Sequence, residues 1–102
     1  MSARSTAWSA LLLAATASSA LGQESGDRDA GERLAAVNCA QCHGAIDAPL
    51  GAPAFATIAR MPSTTADALS VFLQSPHAAM PDLILSPDDR SDLIAYILSL
   101  RP

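Results

Sequence analysis

Five consecutive residues, Cys39-Ala40-Gln41-Cys42-His43, have the types and spacing to do chemistry, and their cysteines are the only two in the chain. Thiols at positions i and i+3 lie on one turn, where both can add to the vinyl groups along one porphyrin edge. The adjacent imidazole then points at the iron as proximal ligand. C-x-x-C-H therefore reads as covalent attachment of one c-type haem through Cys39 and Cys42, with His43 on the metal. The same cysteine spacing serves thiol redox enzymes and zinc sites. The first needs a βαβ context that is missing here. The second needs four ligands, and Cys39, Cys42, His43 and the distant His77 would have to suffice. No Ser/His/Asp group or pair of carboxylates suggests catalysis, so the chain is not expected to be an enzyme.

An iron held by His43 needs a ligand on its other side, or keeps that position open. Met80-Pro81, just before the last helix signal, is the strongest candidate. A thioether favours ferrous iron and raises the potential, and the following proline stiffens the loop that holds the sulfur. Met61-Pro62 and His77 are the rivals. Met61 lies 18 positions after His43 and precedes a helix start, which suits a packing residue. His77 follows Pro76 and reads as a solvated loop residue.

Three helices must position these groups. Asp29-Ala30-Gly31-Glu32 has the form of an N-cap acid with glutamate three positions on, opening a run through Leu34 and Val37 to the motif. Thr64-Thr65-Ala66-Asp67 opens a second helix, with Leu69, Phe72 and Leu73 on its apolar face and Pro76 beyond its end. Ser86 caps the third. Pro87 suits its first turn, Asp88 and Asp89 favour its positive end, and Leu93, Ile94, Ile97, Leu98 and Leu100 recur at helical spacing beside Tyr96. Gly44 to Pro62 reads as an irregular loop with a short helical turn near Phe55 to Ala59, and Ser75 to Leu85 as a second loop. No segment alternates strongly enough for a strand. Residues 23–28 read as a frayed polar N-terminus.

Residues 1–22 read as a signal peptide. Arg4 is the positive region, Ala7 to Ala17 the apolar stretch, and Ala20-Leu21-Gly22 the small residues before cleavage at Gln23. The stretch is short and rich in Ser and Thr, whereas a span needs about 20 apolar residues, so no stable membrane span is expected after cleavage. Removal leaves residues 23–102, a single domain with Phe55, Phe72 and Tyr96 as its only aromatics. So small a domain needs help to build a core, and a buried porphyrin supplies it where a disulfide between near neighbours could not. All ten acids lie after residue 22 and only Arg4 of the six arginines is lost, leaving a formal charge of −5 with no lysine. Nucleic acid is therefore an unsuitable partner. A docking partner would be basic or met through an apolar patch.

From about Asp29 to Leu100 the chain resembles a small bacterial class I cytochrome c. The resemblance rests on Cys39, Cys42 and His43, on Met80 in "SPHAAMP", and on the C-terminal "DLIAYILSL". It implies an all-α, cytochrome c-like fold of three main helices and irregular loops wrapped around one covalently bound haem c, with His43 and Met80 as axial ligands. It also implies a close crossing of the first and last helices, with Gly31 facing Leu93 and Tyr96 and Ala35 on the same face. The family's proline carbonyl that accepts from the proximal imidazole matches Pro53 in "GAPAF", with Pro49 the lesser candidate. Two features depart from the family. The part after residue 22 has no tryptophan to bond a haem propionate, a role Arg60 could take in part, and the lysine ring used for docking is absent. The expected function is single-electron transfer in the bacterial periplasm with redox partner proteins, as a monomer or as a subunit of a redox complex. The alternatives are a haem protein that binds or senses a small ligand, and a dedicated haem subunit of a dehydrogenase or oxidase.

Overall fold

The computed structural model describes residues 26–47 and 51–102. Four helices follow one another: α1 Arg28–Asn38, α2 Phe55–Arg60, α3 Ala66–Leu73 and α4 Pro87–Ser99, with no strand among the described residues. The three expected helices are present, and the turn near Phe55 is a six-residue helix. No described helix is long and apolar enough to cross a membrane. The expected signal segment lies outside the described residues.

Two helix starts follow from local chemistry as expected. Thr65 caps α3 by accepting from the Ala68 amide, and Ser86 caps α4 by accepting from the Asp89 amide, with Pro87 at the first helical position. The start of α1 differs. Its cap is Asp27, not Asp29: one Asp27 carboxylate oxygen accepts from the amides of Asp29 (2.8 Å) and Ala30 (3.1 Å). The Ala30 amide and then the Asp29 amide hold the Asp27 carboxyl below its ordinary range. The expected fraying through residue 28 is also absent from its described part. The Asp27 amide donates to the Asp92 carboxylate of α4 at 2.7 Å, and a Cβ added to Gly26 would run into the Ser91 backbone. A contact 65 residues away in sequence thus sets where α1 begins, and the local acid pattern around Asp29 carried no sign of it.

α4 is the organising helix, packing against α1, α2 and α3. Its closest approach is to α1 at Gly31, where a Cβ would overlap the Asp92 carbonyl and lie 2.9 Å from Tyr96 Cβ. The backbones can meet there only because position 31 has no side chain. The opposing atoms belong to Asp92 and Tyr96, while Leu93 is buried in the core. Ala35, Cys39, Ala59, Leu69, Leu93 and Ile97 form that core, and Leu34, Phe55, Ile58 and Leu73 border it. The chain end is tied down as well. Arg101 donates through Nε to the Ala59 carbonyl at 2.9 Å and through Nη2 to the Thr64 carbonyl, clasping the α2–α3 connection.

Candidate functional site

The cysteine motif begins where α1 ends. Cys39 is the C-cap, its amide donating to the Ala35 carbonyl at 2.9 Å. The next turn closes on Cys39 itself, whose carbonyl accepts from the amides of Cys42 (3.1 Å) and His43 (2.8 Å). Both thiols are free, Cys39 buried and Cys42 exposed. Burial pushes the Cys39 thiol up from its ordinary range.

His43 is held from two directions. Its Nδ1 lies 2.6 Å from the Pro53 carbonyl oxygen. A carbonyl can only accept, so Nδ1 carries the proton and donates, and in the neutral ring Nε2 keeps its lone pair. The ring stacks on Phe55, with centroids 4.9 Å apart and planes 9° from parallel, and Phe55 meets Tyr96 of α4 edge-on at 6.2 Å. Pro49, the lesser candidate for the carbonyl contact, lies outside the described residues. Phe55 and Asp47 went unassigned on sequence grounds. The Asp47 carboxylate accepts from the Ala54 amide at 2.8 Å, and an aspartate seven positions before the residue after a proline is too common a pattern to flag.

The three candidate sixth ligands sit differently. Met80 is half-buried in a cleft of mixed lining, which it shares with Phe72, Leu73 and Leu83 and with the polar Gln74, His77 and Asp82. A tight turn presents it: the Met80 amide donates to the His77 carbonyl at 3.3 Å, with Ala79 left-handed at φ 64. His77 lines the same cleft, its ring stacked on Phe72 at 3.5 Å and its Nδ1 2.9 Å from the Ser75 carbonyl. Met61 caps the C-terminus of α2 and is exposed. Arg60 is exposed too, and its charge acts on Asp47. Among the described residues no group of three or more His, Cys, Asp or Glu side chains is arranged to hold a metal ion by itself.

The candidate donors are therefore two thiols on one turn, an imidazole whose Nδ1 is bonded to the Pro53 carbonyl, and a half-buried thioether in a cleft of mixed polar and apolar lining. Their chemistry fits a haem joined through sulfur. Residues 26–97 match the family described as cytochrome c oxidase, cbb3-type, subunit III. The chain belongs to the cytochrome c family. It is also 41% identical over 96 residues to cytochrome c-552 of Bradyrhizobium diazoefficiens, a match covering 90% of this chain and 89% of that protein. No solved structure matches it. As a cytochrome c it carries haem c, an iron porphyrin bound covalently, and it works in electron transport. Cys39 and Cys42 have the spacing that attachment requires.

Proposed function

We propose that this cytochrome c is a periplasmic single-electron carrier, not an enzyme. Cys39 and Cys42 hold one haem, and His43 and Met80 ligate its iron. The observation that carries the reading is the 2.6 Å contact between His43 Nδ1 and the Pro53 carbonyl. It sets the tautomer, orients the ring and makes the imidazole a better donor through Nε2, as partners of metal-bound histidines do. Met80 is favoured over Met61 and His77 because a tight turn presents it half-buried just before α4, Pro81 stiffens the loop behind it, and a thioether ligand raises the potential. The haem supplies one-electron exchange at its iron. The chain supplies both axial groups, which leaves no iron position for a substrate, and it supplies the apolar setting that tunes the potential.

Residues 1–22 act as an export signal, and the mature chain begins at Gln23. Its partners are redox proteins met through a basic or apolar surface, since the mature part carries a formal charge of −5. A second reading has support of its own. The matching family is described as an oxidase subunit, so the chain could pass electrons within a redox complex without travelling free.

The test is the visible spectrum of protein purified from the periplasm of a haem-attaching host, oxidised and reduced, with and without carbon monoxide. A low-spin spectrum indifferent to carbon monoxide, on a chain whose intact mass begins at Gln23 and includes one haem, is the expected result. High-spin iron, or ready carbon monoxide binding, would replace the carrier reading with small-ligand binding or sensing. Recovery only in a stoichiometric complex with an oxidase or dehydrogenase would favour the subunit reading.

A further inference from the structure

The Pro53 carbonyl that accepts from His43 and the Ala54 amide that donates to Asp47 belong to one peptide group. Its oxygen lies 2.6 Å from His43 Nδ1, and its nitrogen lies 2.8 Å from the Asp47 carboxylate. We propose that Asp47 is a positioning residue for the haem iron, acting through peptide 53–54 to orient and polarise the imidazole of His43. The proposal rests on the reading of His43 as the axial ligand.

Two physical consequences follow from bonding one planar group at both ends. The first is orientation. Proline has no amide hydrogen, so Pro53 cannot be held through its own nitrogen, and the following amide is the nearest handle on its carbonyl. Fixing that amide fixes the plane and hence the direction of the carbonyl oxygen. The second is electronic. A hydrogen bond to a charged acceptor is about twice as strong as a neutral one, and hydrogen bonds in series polarise one another. A carboxylate drawing on the N–H pushes electron density toward the carbonyl oxygen of the same amide. That oxygen then draws harder on the His43 Nδ1–H, and the imidazole becomes more electron-rich at Nε2. A richer donor favours ferric iron, so Asp47 lowers the reduction potential.

The surroundings keep the carboxylate charged. The Ala54 amide first and then the Thr57 hydroxyl hold the Asp47 carboxyl below its ordinary range against the opposing effect of burial, with the Arg60 charge contributing least. Asp47 is therefore ionised at neutral pH and acts as a constant bias. α2 supplies Thr57 and Arg60 as well as the peptide's continuation into a helix, so one short element carries both the relayed group and the partners that keep its anchor charged.

The test uses haem-loaded Asp47→Asn, Asp47→Ala and, as a control for lost surface charge, Glu32→Gln on the exposed side of α1. Reduction potential and the proton NMR shift of His43 Nδ1–H are read together. Asp47→Asn keeps an acceptor oxygen near the Ala54 amide and loses only the charge. It should raise the potential beyond the Glu32→Gln shift, and its Nδ1–H resonance should move upfield while the low-spin spectrum stays that of the parent. Asp47→Ala should shift both further and hasten solvent exchange of the Ala54 amide. If Asp47→Asn changes the potential no more than Glu32→Gln, or leaves the Nδ1–H resonance in place, the relay is overturned while the ligand assignment stands. If the unsubstituted protein shows no hyperfine-shifted His43 ring, His43 is not on the iron, and the ligand reading falls with the relay.

Discussion

His43 shows how little of a ligand's behaviour resides in the ligand. Its imidazole is bonded at Nδ1 by Pro53 and covered on one face by Phe55, which in turn meets Tyr96. The chain therefore determines which nitrogen is free and how the ring is turned before any metal is considered. Met80 differs, because a thioether has no proton to anchor and must be placed by its loop. That loop bends through Ala79 at φ 64, a conformation costing a non-glycine residue roughly 1 kcal/mol or more, and strain of this kind persists where neighbouring structure requires it. Met80→Ala should open the iron to carbon monoxide and lower the potential markedly, since thioether ligation is what raises it. Met61→Ala should leave both unchanged. The reverse pattern in a redox titration would move the sixth ligand to Met61.

At the scale of elements, the crossing of α1 and α4 makes the strictest demand on the sequence. Replacing a helical glycine by alanine ordinarily gains about 1 kcal/mol of helix propensity. At Gly31 the added methyl would meet the Asp92 carbonyl, which is backbone and cannot rotate away. Overpacking costs about 1–3 kcal/mol where neighbours can still adjust, so the clash outweighs the propensity gain. Gly31→Ala should be destabilising by roughly 1–2 kcal/mol, read as a lower midpoint in chemical denaturation of the haem-loaded protein. A raised midpoint would mean that the helices part without loss. Helix starts set by one nearby side chain, Thr65 and Ser86, could be read from the sequence because the capping bond spans three residues. The start of α1 is capped just as locally, by Asp27 on the Asp29 and Ala30 amides, but Asp27 and Asp29 are both acids near its start, and only the contact of Asp27 with Asp92 on α4 shows which one is held there.

For the molecule as a whole, the side chains build little interior by themselves. Among the described residues the buried apolar ones are Ala35, Cys39, Ala54, Ala59, Leu69, Leu93 and Ile97, of which only the last three are large. A domain of this size with so few large buried groups stays marginal unless something else fills its core. Cys39→Ser with Cys42→Ser should therefore remove covalent haem and leave a chain without cooperative unfolding, followed by circular dichroism during a thermal ramp. A sharp transition in that variant would show that the helices fold without the porphyrin. The acidic balance acts at the same scale. With ten acids, six arginines and no lysine, the chain's field repels acidic surfaces at long range and favours basic or apolar docking faces.

By itself the sequence determined the features that depend on near neighbours: the cysteine motif on one turn, the caps of α3 and α4 and the apolar stripe of α4. Each is governed by residues within about a turn of one another. Gly31 at the crossing and the Pro53 contact were legible only through resemblance, because nothing local joins position 31 to position 92 or position 43 to position 53. Tertiary structure alone decided the remainder: the start of α1 against Asp92, the stacking of Phe55 on His43, the clasp of Arg101 on Ala59 and Thr64, and the bond from Ala54 to Asp47. These contacts join segments whose separation in the chain says nothing of their separation in space. Apart from the Phe55–His43 stack, each has a backbone carbonyl or amide as one partner, groups that no residue type reveals.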